Sequence, residues 1–149
     1  MEKLSFTDIL NSEHTRLEKA RLIAEKIRDT KHYSWVGLYD VKETEISIIS
    51  FAGRSEPTFT SFPKDKGLNG RAVKEKKAVI VNDTMADEDY LLTFSNTKSE
   101  IVVPVFAPGD GEITGTIDAE SDEKNAFSKE DAGFLEECAN AIQILWRQN

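Results

Sequence analysis

The chain has 149 residues, 39% hydrophobic and 31% charged, with only 8 Gly and 4 Pro, which fits one domain around one core and excludes collagen, low-complexity linker and wholesale disorder. Its 19 Lys and Arg against 27 Asp and Glu leave a net charge of −8, which repels phosphate backbones and anionic headgroups, so neither nucleic acid nor a membrane is an expected partner. Met1-Glu2-Lys3-Leu4 has no apolar run behind a basic stretch, and no segment reaches the roughly 18 apolar residues of a membrane span, so a cytoplasmic single domain over residues 1–149 is expected.

Ser5 followed by Asp8 resembles a capping signal, and Phe6, Ile9, Leu10, Leu17, Ala20, Ala24 and Ile27 recur at helical spacing to about Arg28. Glu13, Arg16, Glu18, Arg21 and Glu25 on the other face predict solvated charge pairs. Two β-rich runs, Ser34 to Val41 and Glu45 to Phe51, flank Lys42-Glu43-Thr44 and predict a β-hairpin. A turn at Gly53 to Pro57 precedes a short strand over Thr58 to Phe62. Gly67-Leu68-Asn69-Gly70 reads as a break, with a short helix after Gly70 and a strand at Ala78 to Val81. The polar connection from Asn82 to Lys98 has an apolar middle, Tyr90, Leu91, Leu92 and Phe94, and is where a lid or binding loop is expected. Glu100 to Phe106 and Glu112 to Glu120 predict two antiparallel strands joined through Pro108-Gly109-Asp110-Gly111.

Ser128, with Asp131 three residues on, caps a terminal helix whose apolar stripe is Phe134, Leu135, Cys138, Ala141, Ile142, Leu145 and Trp146. The single cysteine, Cys138, therefore falls in a core stripe; alone it excludes an internal disulfide and dithiol chemistry within one chain. The order predicts an α+β fold: a mostly antiparallel sheet, terminal helices on one face, and long loops and the short helix closing a pocket on the other.

No GxGxxG, Walker loop or HExxH occurs, and the two histidines, His14 and His32, lack metal-ligand spacing. No cofactor is implied. The distinctive feature is acid within apolar strands: Glu100 opens Ile101-Val102-Val103-Pro104, and Asp118 and Glu120 lie two apart at the end of the next strand, on one face. If the strands adjoin, three carboxylates converge and need a cation between them: an ammonium ligand, a metal or a lysine. The competing reading is that these acids cap strand ends and face water.

Five blocks carry a resemblance to a known family: Ser34-Trp35-Val36-Gly37-Leu38-Tyr39, Lys66-Gly67-Leu68-Asn69-Gly70, Val81-Asn82-Asp83, Ser99-Glu100-Ile101-Val102-Val103-Pro104 and Gly115-Thr116-Ile117-Asp118-Ala119-Glu120-Ser121. From about Phe6 to Trp146 the chain resembles a GAF domain, and more closely the free methionine-(R)-sulfoxide reductases. The resemblance implies that Glu100, Asp118 and Glu120 hold the ammonium of a free amino acid, with Glu120 in place of the usual Asp. It also implies that Trp35 and Tyr39 form the aromatic wall of the pocket. The family's reactive and resolving cysteines fall at Thr93, Asn69 and, by a looser alignment, Phe59. A threonine hydroxyl cannot reduce a sulfoxide, since the reaction needs a sulfur that is oxidised and then recycled.

The expected function is a GAF-type module that binds a cationic or zwitterionic metabolite, an amino acid or amine, without chemistry. Its expected ligand-binding residues are Glu100, Asp118, Glu120, Trp35, Tyr39, Thr93 and Asn69, with no catalytic residue and no metal. The alternatives are a divergent free methionine-(R)-sulfoxide reductase and, more weakly, a cyclic-nucleotide sensor, whose phosphate these acids repel. Broad apolar stripes on the terminal helices predict a homodimer.

Overall fold

A computed structural model describes residues 4–109 and 111–148. Met1, Glu2 and Lys3 of the N-terminal reading and Asp110 of the predicted turn lie outside the described residues.

The first helical region is two helices. α1 spans Thr7–Leu10 and α2 spans Arg16–Lys31, restarted by Thr15, whose side chain accepts from the Glu18 amide at 3.2 Å. The restart sets its own phase: Ala20, Ile23, Ala24 and Ile27 are buried, while Leu17, expected on the apolar stripe, is 62% exposed. Arg21 pairs with Glu18 and Glu25 as the spacing predicts. Arg16 instead pairs with Asp40 and donates Nε to the Leu145 carbonyl at 3.2 Å, tying α2 to the sheet and the C-terminal turn.

The hairpin forms as predicted, from β1 (Trp35–Val41) and β2 (Glu45–Ala52). Then follow β3 (Ser61–Pro63), α3 (Gly67–Glu75), β4 (Val79–Val81), β5 (Ser99–Phe106), β6 (Ile113–Ser121) and α4 (Lys129–Ala141). A 3-10 turn over Gln143–Arg147 ends the described fold. Among the described residues six strands pair antiparallel, in the order β3-β2-β1-β6-β5-β4. Ser128 and Asp131 complete the expected capping box. Ala141, expected on the apolar stripe, is exposed.

Contrary to the sequence reading, α3 begins at Gly67 rather than after Gly70. Gly70 allows a close approach inside the helix: a Cβ there would lie 2.7 Å from the Asp65 carbonyl carbon and 2.9 Å from the Lys64 oxygen.

Period-two alternation divides the sheet. Val36, Leu38, Ile101, Val103, Val105, Ile117 and Ala119 pack with α2 and α4 in the main core, which also holds Leu135, Cys138, Ile142 and Leu145. On the opposite face Leu68 and Ala72 of α3 pack on Val79, Val81 and Val102, and Trp35, Tyr39, Ile46 and Phe62 form a third cluster. Terminal helices on one face and α3 with the 82–98 connection on the other match the predicted layout. Among the described residues no helix is long and apolar enough to cross a membrane.

Candidate functional site

Strand register assembles the site. β5 and β6 pair Glu100 with Glu120 and Val102 with Asp118, while β1 and β6 pair Trp35 with Glu120, Gly37 with Asp118 and Tyr39 with Thr116. The two strand pairings thus place all three acids and both aromatics on one face. Gly37 is required between the aromatics, because a Cβ there would come within 2.3 Å of the Trp35 ring.

Glu100, Asp118 and Glu120 are 3%, 1% and 1% exposed, so the reading in which they face water is excluded. One carboxylate oxygen of each lies within 4.8 Å of the others. Asn69 donates Nδ2–H to Asp118 Oδ2 at 2.9 Å and accepts the Thr116 hydroxyl on its Oδ1 at 2.5 Å, which fixes the orientation of its amide. Thr97 donates to Glu120 Oε1 at 2.8 Å. The other oxygens, Asp118 Oδ1 and Glu120 Oε2, are buried without a partner when the acids are ionised.

Burial pushes all three acids toward their neutral forms. Glu100 is raised well above the usual carboxylate range by desolvation and then by the charges of Asp118 and Glu120. Glu120 is raised likewise by desolvation and by Asp118, against the Thr97 hydroxyl. Asp118 rises to about 6 through desolvation, restrained by hydrogen bonds from Glu100 and Asn69.

Two small cavities flank the triad. One, about 10 Å³, is lined by Tyr39, Phe59, Phe62, Asn69, Thr93, Glu100 and Asp118 among others. The second, about 30 Å³, is lined by Trp35, Phe94, Thr97 and Glu120, with Arg54 at its rim. The single aromatic wall predicted from Trp35 and Tyr39 is thus divided between two cavities. Trp35 is edge-on to Phe94, ring centroids 5.4 Å apart, and donates to the Ser55 carbonyl at 3.0 Å. Thr93 is buried in the first cavity, where its amide donates to the Tyr90 hydroxyl at 3.3 Å.

The 82–98 connection covers this face, and besides Thr97 on Glu120 its middle is held to α3 and to the chain before β3. Arg71 of α3 bonds Asp87 at 2.5 Å and Asp89 at 2.9 Å. Thr58 donates its amide and hydroxyl to the Thr93 carbonyl, at 3.1 and 2.7 Å. Thr97 and Arg71 were not singled out in the sequence, and Thr116 entered only as part of a matched block. Thr116 was accessible by alternation, two residues before Asp118 on the same face, whereas Thr97 sits in irregular chain that carries no period.

Cys138 lies across the sheet in the helix-side core, 3% exposed, its thiol pushed up to about 12 by burial and the nearby Glu137. The sheet stands between it and the triad. The site therefore offers acceptors, a clamped amide and aromatic surface, but no sulfur.

The model of the GAF domain family matches residues 11–147. This chain is a GAF domain. It is 29% identical over 128 residues to GAF domain-containing protein A of Dictyostelium discoideum, an alignment covering 85% of this chain and 78% of that one. Among solved structures, the GAF domain superposes on the type II free methionine-R-sulfoxide reductase of Thermoplasma acidophilum with a TM-score of 0.80 and 32% identity, covering 89% of this chain and 95% of that one. It also superposes on the free methionine-R-sulfoxide reductase of Neisseria meningitidis in complex with its substrate, TM-score 0.84 and 27% identity, covering 95% and 83%. The expected α+β fold and its likeness to this reductase group therefore hold.

Proposed function

We propose that this GAF domain binds a small metabolite bearing an ammonium group, an amino acid or amine, and performs no chemistry on it. The observation that carries this reading is the buried acid triad with two unpartnered carboxylate oxygens. An ammonium donating to three oxygens at about 2.8 Å sets them about 4.6 Å apart, within the span of the triad. Tyr39, Phe59 and Phe62 supply apolar surface for the rest of the molecule. With the connection shut, about 10 Å³ is too little for an organic ligand, so binding requires Leu91 and Thr93 to move aside. The test is thermal unfolding with a panel of amino acids and amines, comparing the parent with Asp118→Asn. A compound that stabilises the parent but not the variant supports the reading; equal stabilisation of both refutes it.

A second reading, a divergent free methionine-(R)-sulfoxide reductase, is favoured by the structural relatives. It lacks a nucleophile, because Thr93 stands in the pocket and Cys138 is buried on the other face. Incubation with free methionine-(R)-sulfoxide and a dithiol decides: turnover that is lost in Cys138→Ser would restore this reading.

We also propose that the domain pairs with a second copy through its terminal helical segments, where Leu17 and Ile144 stand 62% and 45% exposed. A monomer at tens of micromolar in sedimentation equilibrium would refute pairing.

A further inference from the structure

The space beside the triad, with the 82–98 connection shut, admits one small particle rather than a molecule with a tail. The cavity against Glu100 and Asp118 is lined by no Lys, Arg or His, and Arg54, at the rim of the other, has a side chain 77% exposed and engaged with Asp122. Among the described residues, the three buried acids thus have no cationic side chain within the enclosure.

The surrounding hydrogen bonds follow one pattern. Asn69 holds one oxygen of Asp118 and Thr97 holds one oxygen of Glu120, each orienting its carboxylate, while with the acids ionised the second oxygen of each is buried without a donor. Outer-shell donors fixing one oxygen while the other stays free is how carboxylate ligands are presented to a metal ion. The mutual approach of the three side chains, within 4.8 Å, suits oxygens sharing one ion at about 2.1 to 2.6 Å.

We propose that, in the closed form, Glu100, Asp118 and Glu120 hold one hard divalent cation of the Mn²⁺ or Ca²⁺ type, which an incoming ammonium must displace. The proposal rests on the same site as the ammonium reading and describes how it is filled when no amine is present. The donor set selects the class. It is all oxygen, with no imidazole or thiolate to favour zinc or copper. Of the six carboxylate oxygens Asn69 and Thr97 hold two, which leaves four for the ion, with Glu100 free to bind through both of its own. Mg²⁺ suits the site less well, because it keeps several of its waters and the cavity has room for about one.

The test is titration of the full chain with Mn²⁺, followed by loss of the free-ion electron paramagnetic resonance signal, with Ca²⁺ and Mg²⁺ by calorimetry. The expected result is one Mn²⁺ per chain, at least tenfold weaker binding in Asp118→Asn and in Glu120→Gln, and Mg²⁺ at least tenfold weaker than Mn²⁺. Thr97→Val, which keeps all three acids, should weaken Mn²⁺ a few-fold, and Glu136→Gln on the exposed face of α4 should change nothing. Absence of Mn²⁺ binding at millimolar concentration, or equal binding by parent and triad variants, overturns the proposal. Butylamine and L-methionine are then added as competitors. If they bind through the triad and Mn²⁺ does not, the metal proposal falls and the ammonium reading stands. If Mn²⁺ binds through the triad and neither competitor binds, the metal proposal stands and the ammonium reading falls.

Discussion

The two faces of the sheet are built from alternate residues of the same three strands and treat burial in opposite ways. On the helix side, Val36, Leu38, Ile101, Val103, Ile117 and Ala119 lose their water to other apolar groups, and burial stabilises the fold. On the pocket side, next to these residues on β5 and β6, Glu100, Asp118 and Glu120 lose as much water, and Asp118 and Glu120 each keep one oxygen without a partner. Burial there costs free energy, and the opposite face holds the backbone that carries the cost. A single β-strand can thus serve stability with one set of alternate positions and present polar groups with the other, because its pleat keeps the two sets apart.

The comparison is broken most forcefully from the helix side. Ile117→Ala or Leu135→Ala, each at a fully buried position, should cost about 2 to 5 kcal/mol in urea unfolding. A loss under about 1 kcal/mol would mean that the core is not where the stability lies. On the pocket side, Asp118→Asn should weaken a bound ammonium ligand by about 1.5 to 3 kcal/mol, roughly ten- to a hundred-fold, while the empty protein keeps or gains stability. A variant less stable than its parent when empty would show that the acids are net stabilising.

The pH dependence has a definite sign. Glu100 and Glu120 are raised well above 4.5 in the fold, and Asp118 from 3.8 to about 6. The folded state therefore keeps protons that the unfolded chain releases from about pH 4 upward. Stability of the unliganded protein should fall as pH rises from about 4 through 6 and beyond, by at most about 1.4 kcal/mol per pH unit for each group. Thermal melts across that range test this, and Asp118→Asn should flatten the slope. The smallest effect is expected at Cys138: Cys138→Ala should cost about 1 kcal/mol of stability and leave ligand affinity unchanged, since the thiol packs across the sheet from the pocket. A drop in affinity would place the thiol in the site after all.

Much of this division is legible in the residues. Asp118 and Glu120 share a face because strands alternate, and the Pro108-Gly109 turn makes β5 and β6 neighbours, which brings Glu100 opposite Glu120. The resemblance supplied Asn69 and Thr93, which no periodicity marks. What stays hidden depends on tertiary choice. Leu17 has the right spacing for the apolar stripe, but the helix restarts at Thr15 and its phase is set by Ile23 and Ile27. Gly67 and Gly70 look like helix breakers, yet the chain uses one at the start of α3 and the other for a close backbone approach. Thr97 bonds Glu120 from a connection whose path depends on what it covers.

The clasp between Arg71 and the paired Asp87 and Asp89 has a consequence in time. While it holds, together with Thr58 on the Thr93 carbonyl, the enclosed space admits no organic molecule, so a ligand of the proposed kind would have to wait for the connection to part. Observed association should then stop rising with ligand concentration and level off at the rate of parting, however tight the final complex. Because the Asp89 side chain is 65% exposed, added salt screens that half of the clasp and should lift the plateau, and Arg71→Ala should lift it further.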